Sequence, residues 1–220
     1  MNTGGLDAAT RIPGFPTDSY LDFALAFAFM QGTIFATTNA GTDLAKDIQT
    51  GFLNRLSLTP MRGSALLAGQ LAGVVALGLF QSLVYLAVGL AAGARIEAGI
   101  GGALVLLLLT VLAVVAFGGV GTFMALRTGT GEAVQGLFPL LFVLLFLSSM
   151  AMPRNLIEID WFRTVATYNP VSYVIEGMRS LVIAGWDAQA LALGFGCAAV
   201  IAVVSLAASA AALRVRLERT

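Results

Sequence analysis

The sequence predicts an all-α polytopic membrane bundle: five transmembrane helices, a helix on the cytoplasmic surface and a short helical pair on the extracellular side. Three observations carry this reading. Hydrophobic residues make up 58% of the 220-residue chain and charged residues only 11%, where a soluble domain carries about 25% charged residues. Mean hydropathy is +0.90. The apolar residues also fall in runs of about twenty, the length that crosses a hydrocarbon core, with short polar stretches between them.

Composition also narrows the chemistry. The formal net charge of +0 argues neither way about nucleic acid, and no motif points to such a partner. A single lysine speaks against a polybasic lipid-binding tail. With one cysteine, Cys197, no intrachain disulfide can form, and without histidine no metal-site spacing exists. The opening MNTGGLDAATRIPGFPTDSY has no basic segment followed by an apolar core, so it reads as an extramembrane loop rather than a signal peptide.

The first span runs from about Tyr20 to Ala40, with Asp22 in reach of the headgroups. Gln31, Thr38 and Thr42 share one helical face, with Asn39 beside them. In a membrane such residues face other helices or a polar cavity; the alternative is that the threonine hydroxyls bond back to the preceding turn. The stretch Gly41 to Pro60 follows, GTDLAKDIQTGFLNRLSLTP, and the rest of the chain is organised around it. Leu44, Ile48, Phe52, Leu53 and Leu56 line one side of a short helix. Asp43, Lys46, Asp47, Asn54 and Arg55 occupy most of the remainder. A helix so divided lies along a membrane surface, and Pro60 disfavours a helical Thr59, placing a turn there.

The second span covers Ser64 to Ala92. Gln70, Leu77 and Gln81 lie on one face, and Gly69–Gly73 and Gly89–Gly93 are GxxxG pairs that let a neighbouring helix approach. GARIEAG leads to a third span, Ile100 to Leu126, whose GGVG at Gly118 to Gly121 loosens the helix or admits a tight contact. RTGTGEAVQG comes next. It resembles a phosphate-binding loop only superficially, because Glu132 follows Gly131 where Lys and then Ser or Thr are required; it reads as a turn. The fourth span runs from Ala133 to Met152 with a kink expected at Pro139, and the fifth from Ala188 to Leu213. Between them, Arg154 to Asp187 is too polar to span. There Asn169 and Pro170 read as N-cap and first helical residue, and Val171, Val174, Ile175, Met178 and Val182 as the apolar stripe of the helix they start. Glu176 and Arg179 are spaced to pair at i+3. Gly185 ends the helix and Trp186 is an interfacial anchor.

With five spans the termini lie on opposite sides. A cytoplasmic C-terminus puts Lys46, Arg55, Arg62, Arg127, Arg214, Arg216 and Arg219 inside, and leaves Arg11, Arg95, Arg154, Arg163 and Arg179 outside. That bias favours a cytoplasmic Gly41–Pro60 helix.

Two passages, KDIQTGFLNRLSLTPMRGSALLAG and YNPVSYVIEGMRSL, resemble the permease subunits of ATP-binding-cassette type-2 exporters, nearest to the daunorubicin-resistance kind. Asp47, Gly51, Leu56, Thr59 and Pro60 match in order the acid, Gly, Leu and Thr-Pro of that family's cytoplasmic helix. Asn169, Pro170, Tyr173, Glu176 and Arg179 stand in the places of its later Asn-Pro, aromatic, acid and Arg signature. The resemblance covers essentially the whole chain as one type-2 transmembrane domain, residues 1–220. One departure stands out: the family begins with an amphipathic elbow helix and a first span, giving six, and this chain starts in what would be the loop after them.

The resemblance implies an exporter half in a bacterial plasma membrane, working with a second permease chain and a separate cytoplasmic ATPase. Lys46, Asp47, Gly51, Phe52, Arg55, Leu56, Thr59 and Pro60 would belong to the coupling helix that docks into the ATPase, with Phe52 and Leu56 anchoring it to the bundle. Glu176 and Arg179 would hold the extracellular gate by pairing locally. Gln31, Thr38, Gln70 and Gln81 are candidate pathway-lining residues, and with abundant Phe and Met they suggest a hydrophobic or amphipathic drug-like or lipid-like cargo. No cofactor or metal is implied. The rival classes are a stand-alone channel or structural membrane subunit, and a membrane-embedded enzyme. The last would need a nucleophile–base set, and the only lysine, Lys46, lies outside the spans.

Overall fold

The computed structural model describes residues 17, 19–52, 55 and 63–217. Its helices are α1 (Tyr20–Gln49), α2 (Gly63–Ala91), α3 (Gly99–Thr128), α4 (Gly131–Gln135), α5 (Leu137–Phe146), α6 (Asp160–Tyr168), α7 (Pro170–Arg179) and α8 (Ala188–Leu217). No strand occurs among the described residues. α1, α2, α3 and α8 are long and apolar enough to cross a membrane, so the chain is a multi-pass helical membrane protein.

The fourth expected span, Ala133 to Met152, is a shorter apolar stretch, Gly131–Phe146, divided at Gly136 into α4 and α5. The break falls one turn before Pro139, the expected kink. Proline lacks the N–H that would reach the carbonyl four residues back, here that of Gln135, where α4 stops. Pro139 itself sits in the first turn of α5, where no intrahelical N–H bond is required. The backbone still runs from one end of the bundle to the other. Gly129 lies beside Arg216, and Ser149 and Met150 lie beside Arg179, which covers the Phe23 ring near the start of α1.

α1, α3 and α8 form the centre of the bundle. Ser19 caps α1 by accepting from the Asp22 N–H at 3.4 Å, and Asp22 in the first turn opposes the helix dipole. Phe23, Ala26, Phe29, Met30 and Ile34 are at most 1% exposed. Lipid offers as apolar a surrounding as leucine, so close packing rather than escape from water must hold such helices together. The crossing of α1 and α3 supplies it through glycine. A Cβ on Gly41 would stand 2.7 Å from the Gly121 carbonyl oxygen, and one on Gly121 would overlap the Thr37 carbonyl. The GGVG stretch is therefore a tight contact within continuous helix. Between α3 and α8, Ser205 Oγ donates to the Ala116 carbonyl at 2.9 Å and Ser209 Oγ to that of Gly119 at 3.0 Å.

The GxxxG pairs of α2 do not behave as expected. Gly69 and Gly73 face open space. Gly89 meets Leu25, and Gly93 lies beyond the helix at φ +100°, turning the chain toward α3. α2 is the least covered of the four long helices, with Leu77, Phe80, Leu83, Val84 and Val88 exposed.

α7 is more deeply set than a surface helix. Val171, Val174, Ile175 and Met178 are fully buried and Val182 nearly so, as the apolar stripe predicts. Asn169 accepts from the Val171 N–H at 3.0 Å with Pro170 next to it, the expected start. The helix widens into a π turn at Ser180–Ala184 and ends at Gly185, φ +84°. Its last carbonyls are used by a neighbour: the Glu97 and Ala98 N–H groups donate to Val182 and Leu181, each at 3.1 Å. α6 stands apart, with Trp161 and Tyr168 exposed.

Candidate functional site

Three places gather the residues that the sequence singles out. The first is the Arg216 end of the bundle. No separate helix begins at Asp43, because α1 continues unbroken to Gln49. Gly41 does not interrupt it, being held in the α1–α3 crossing. The turn comes at Thr50 and Gly51, where Gly51 adopts φ +70°, a conformation that a Cβ disfavours. Leu44, Ala45 and Ile48 are buried against Ala125, Leu126, Val134, Ala212 and Leu213. This end of α1 is thus fastened to the bundle and does not lie along a surface. Asp43 and Lys46 are exposed, with Lys46 Nζ 3.5 Å from Asp43 Oδ1, and Asp47 is half-buried. Phe52, expected to anchor the element, is 48% exposed; Leu44 and Ile48 anchor it instead, because the turn at Gly51 breaks the register they would share with Phe52. Arg55 is exposed and donates to the Thr50 carbonyl at 3.3 Å. Leu53, Asn54, Leu56, Thr59 and Pro60 lie outside the described residues, as do Arg11, Arg62 and Arg219.

The second place is the opposite end. The expected Glu176–Arg179 pair does not form. Glu176 receives Arg154 in a forked pair, with Nε donating to Oε1 at 2.7 Å and Nη2 to Oε2. Against the cost of partial burial, that carboxylate holds the Arg154 guanidinium above its ordinary pKa. Arg154 also covers the Tyr173 ring at 4.6 Å, and Tyr173 Oη donates to the Thr167 carbonyl at 2.7 Å. Arg179 points elsewhere and is 5% exposed. Its two terminal nitrogens donate to the Ser149 and Met150 carbonyls, each at 2.9 Å, and its guanidinium lies 3.7 Å from the Phe23 ring centroid. Burial pulls its pKa down to about 10, so it remains charged at neutral pH. A planar fork suits two adjacent carbonyls and an aromatic face together. Asn169 closes the group, donating from Nδ2 to the Leu144 carbonyl at 2.6 Å. These residues bind the turn after α5 onto α7 and the start of α1. Arg154, Glu176 and Arg179 also line a cavity of about 370 Å³.

The third place is one face of α1 and α5. Gln31 and Thr38 are half-buried, Asn39 is exposed, and Phe35 between them is 41% exposed. Thr38 bonds back to the Ile34 carbonyl at 3.2 Å. The other two expected lining residues do not join this face. Gln70 donates to the Ala40 carbonyl at 3.1 Å and Gln81 to Tyr85 Oη at 2.7 Å, so both side chains are occupied within the bundle. Beside Phe35 stand Phe138, Phe142 and Phe146 of α5. Sequence reasoning passed over these, although their four-residue spacing puts them on one helical face. Arg154 carried no such signal, since its partner lies 22 residues away.

Among the described residues no group of three metal-ligating side chains occurs. The surfaces offered are an end with an exposed turn at Gly51, a clasped opposite end and a polar–aromatic face.

Comparison with known proteins places these features in context. The model of the ABC-2 type transporter family matches residues 9–183. The chain is 31% identical over 202 residues to a daunorubicin resistance ABC transporter permease protein of Streptomyces coeruleorubidus, a match that covers 86% of this chain and 69% of that protein. It is 28% identical over 169 residues to a probable doxorubicin resistance ABC transporter permease protein of Mycobacterium tuberculosis, covering 76% of this chain and 60% of the relative. No solved structure matches significantly.

Proposed function

The chain belongs to the ABC-2 type transporter family, and from that premise we propose that it is the membrane-spanning permease subunit of an ATP-driven exporter in a bacterial plasma membrane. A separate ATPase subunit docks at the Arg216 end, a second permease chain completes the pathway, and the cargo is a hydrophobic or amphipathic drug-like or lipid-like molecule. The relatives it resembles are named as permease proteins, and this reading assigns ATP hydrolysis to the partner. Residues 1–220 act as one transmembrane domain.

One observation carries the reading. α1 runs without a break from Tyr20 to Gln49, buries Leu44, Ala45 and Ile48 in the bundle and leaves Asp43 and Lys46 open. A push on that end travels along one rigid helix to Phe23, under the Arg179 guanidinium. Closure of an ATPase dimer would then tilt α1 as a lever and disturb the clasp at the far end. Charge supports the orientation. Among the described residues the Arg216 end carries Lys46, Arg55, Arg127, Arg214 and Arg216; the other carries Arg95, Arg154, Arg163 and Arg179 with more acids beside them. The face bearing Gln31, Thr38 and Asn39 is the pathway wall, because polar side chains turned outward at membrane depth require a polar or protein neighbour.

The test is alanine substitution of Asp47 together with Arg55, followed by co-purification of the ATPase and by efflux. The expected outcome is loss of both with the bundle still folded. Unchanged association and efflux would remove the coupling role.

A further inference from the structure

We propose that α6 lies in the lipid leaflet at the Arg179 end of the bundle, and that phospholipid acyl chains cover its outward side and fill the cleft it forms against the end of α5. The proposal needs only the membrane-crossing helices described above, not the exporter reading.

α6 has three sides rather than two. Successive residues of a helix turn by about 100°. That places Phe162 and Ala166 together, Asp160, Arg163 and Thr167 together, and Trp161, Val165 and Tyr168 together. The first side packs on the bundle, with Ala166 fully buried and Phe162 half-buried. The second is polar and exposed. Arg163 pairs there with Asp160, and the Thr167 hydroxyl donates to the Arg163 carbonyl at 2.7 Å. The third is apolar and exposed, with Trp161 at 63%, Val165 at 38% and Tyr168 at 83%. A helix covering a soluble core needs one apolar side. A second one, turned away from both the bundle and the polar side, suits a helix lying between headgroups and hydrocarbon.

Continuity with the surface of the spans names lipid as the occupant. Leu140, Leu144 and Leu147 follow one another at helical spacing along α5 and into the turn after it, on the side away from Phe138. Leu140 and its neighbour Val143 are open, at 59% and 53% exposed. This stripe runs into a cleft of about 360 Å³, where Leu144 and Leu147 face Val165, Tyr168 and Pro170. Two bonds fix its walls. Asn169 Nδ2, at the end of α6, donates to the Leu144 carbonyl at 2.6 Å, and Tyr173 Oη of α7 donates to the Thr167 carbonyl at 2.7 Å. Water gains little from such a lining, whereas an acyl chain entering along the leucines removes it from water. Trp161, Tyr168 and, beyond α7, the 62% exposed Trp186 supply the amphipathic rings that settle at headgroup level.

The chain has only two tryptophans, which makes the experiment direct. Trp186→Phe leaves Trp161 as the sole indole, in nanodiscs of phosphatidylcholine with plain or brominated chains. Bromine near the glycerol end, at the depth of roughly 5–10 Å that such helices reach, should quench about half of the Trp161 emission, while aqueous iodide quenches little. In a background of Trp161→Phe with Trp186→Phe, Thr167→Trp and Val165→Trp report the polar side and the cleft. The first should respond to iodide and not to bromine, the second to bromine and not to iodide. Trp186→Phe, remote from α6 in sequence, carries the test if either introduced tryptophan lowers the thermal midpoint. Iodide quenching of Trp161 would put the outward side in water, and protection from both quenchers would put a protein surface such as a second copy against it; either result overturns the proposal. A folded Val165→Trp chain untouched by bromine would overturn the filled cleft.

Discussion

The α1–α3 crossing offers the sharpest quantitative test. A methyl group on Gly41 would sit 2.7 Å from the Gly121 carbonyl oxygen, where ordinary contact begins at 3.4 Å. The helices must separate locally by about 0.7 Å to admit it. Val134 Cγ1, at 2.5 Å, could turn aside, but the Gly121 carbonyl is backbone, so a rotamer change alone cannot relieve the clash. Gly121→Ala meets the same obstacle from the other side, at the Thr37 carbonyl. Overpacking of this kind costs about 1–3 kcal/mol, and the widened crossing also weakens neighbouring contacts, so each variant should lose about 2–3 kcal/mol. Gly69→Ala and Gly73→Ala provide the control, since a Cβ at either position meets nothing within 4 Å; these should be neutral or gain up to about 1 kcal/mol from better helix propensity. Thermal unfolding of the purified chain in one detergent, followed by thiol-reactive dye at Cys197, ranks the four variants. If Gly121→Ala and Gly41→Ala unfold with Gly69→Ala, the helices do not meet at this distance and the reasoning fails.

Two further outcomes follow from the clasp at the far end. Arg154→Glu or Glu176→Arg alone should lower stability by about 1–3 kcal/mol, because the forked pair is charge-assisted and both side chains are only about a quarter exposed. The double exchange should recover more than half of that loss in a thermal-midpoint cycle, and simply additive losses would refute the pairing. Arg179→Lys keeps the charge but cannot bridge the Ser149 and Met150 carbonyls while lying flat over Phe23. A loss of about 2 kcal/mol or more is expected from the two hydrogen bonds disturbed, read as a lower midpoint at pH 7; a midpoint equal to wild type would show that charge alone suffices.

The sequence makes the class of fold legible because hydropathy reports where backbone groups must satisfy themselves. It therefore locates α1, α2, α3 and α8, and the Asn169-Pro170 start of α7 is explicit in its capping chemistry. It misplaces the end of α1, because a glycine such as Gly41 reads as a break until the partner backbone that needs it is seen. The α2 glycines mislead in the opposite direction: Gly69 and Gly73 have the spacing of a contact and no helix against them. Site residues divide in the same way. Local chemistry places Asn169 and Pro170, whereas the partners of Glu176, Arg179 and Gln70 are chosen by packing between segments 22, 29 to 30 and 30 residues apart. The phenylalanine series becomes evident only when Phe35 of α1 joins the three on α5.

The π turn after α7 has a mechanical consequence. The widened turn lends its Leu181 and Val182 carbonyls to the corner between α2 and α3, which stitches two loops together by main chain alone. Side-chain substitutions cannot easily unpick that seam. Whatever moves at this rim, the α2–α3 corner and the π turn after α7 must travel as one plate.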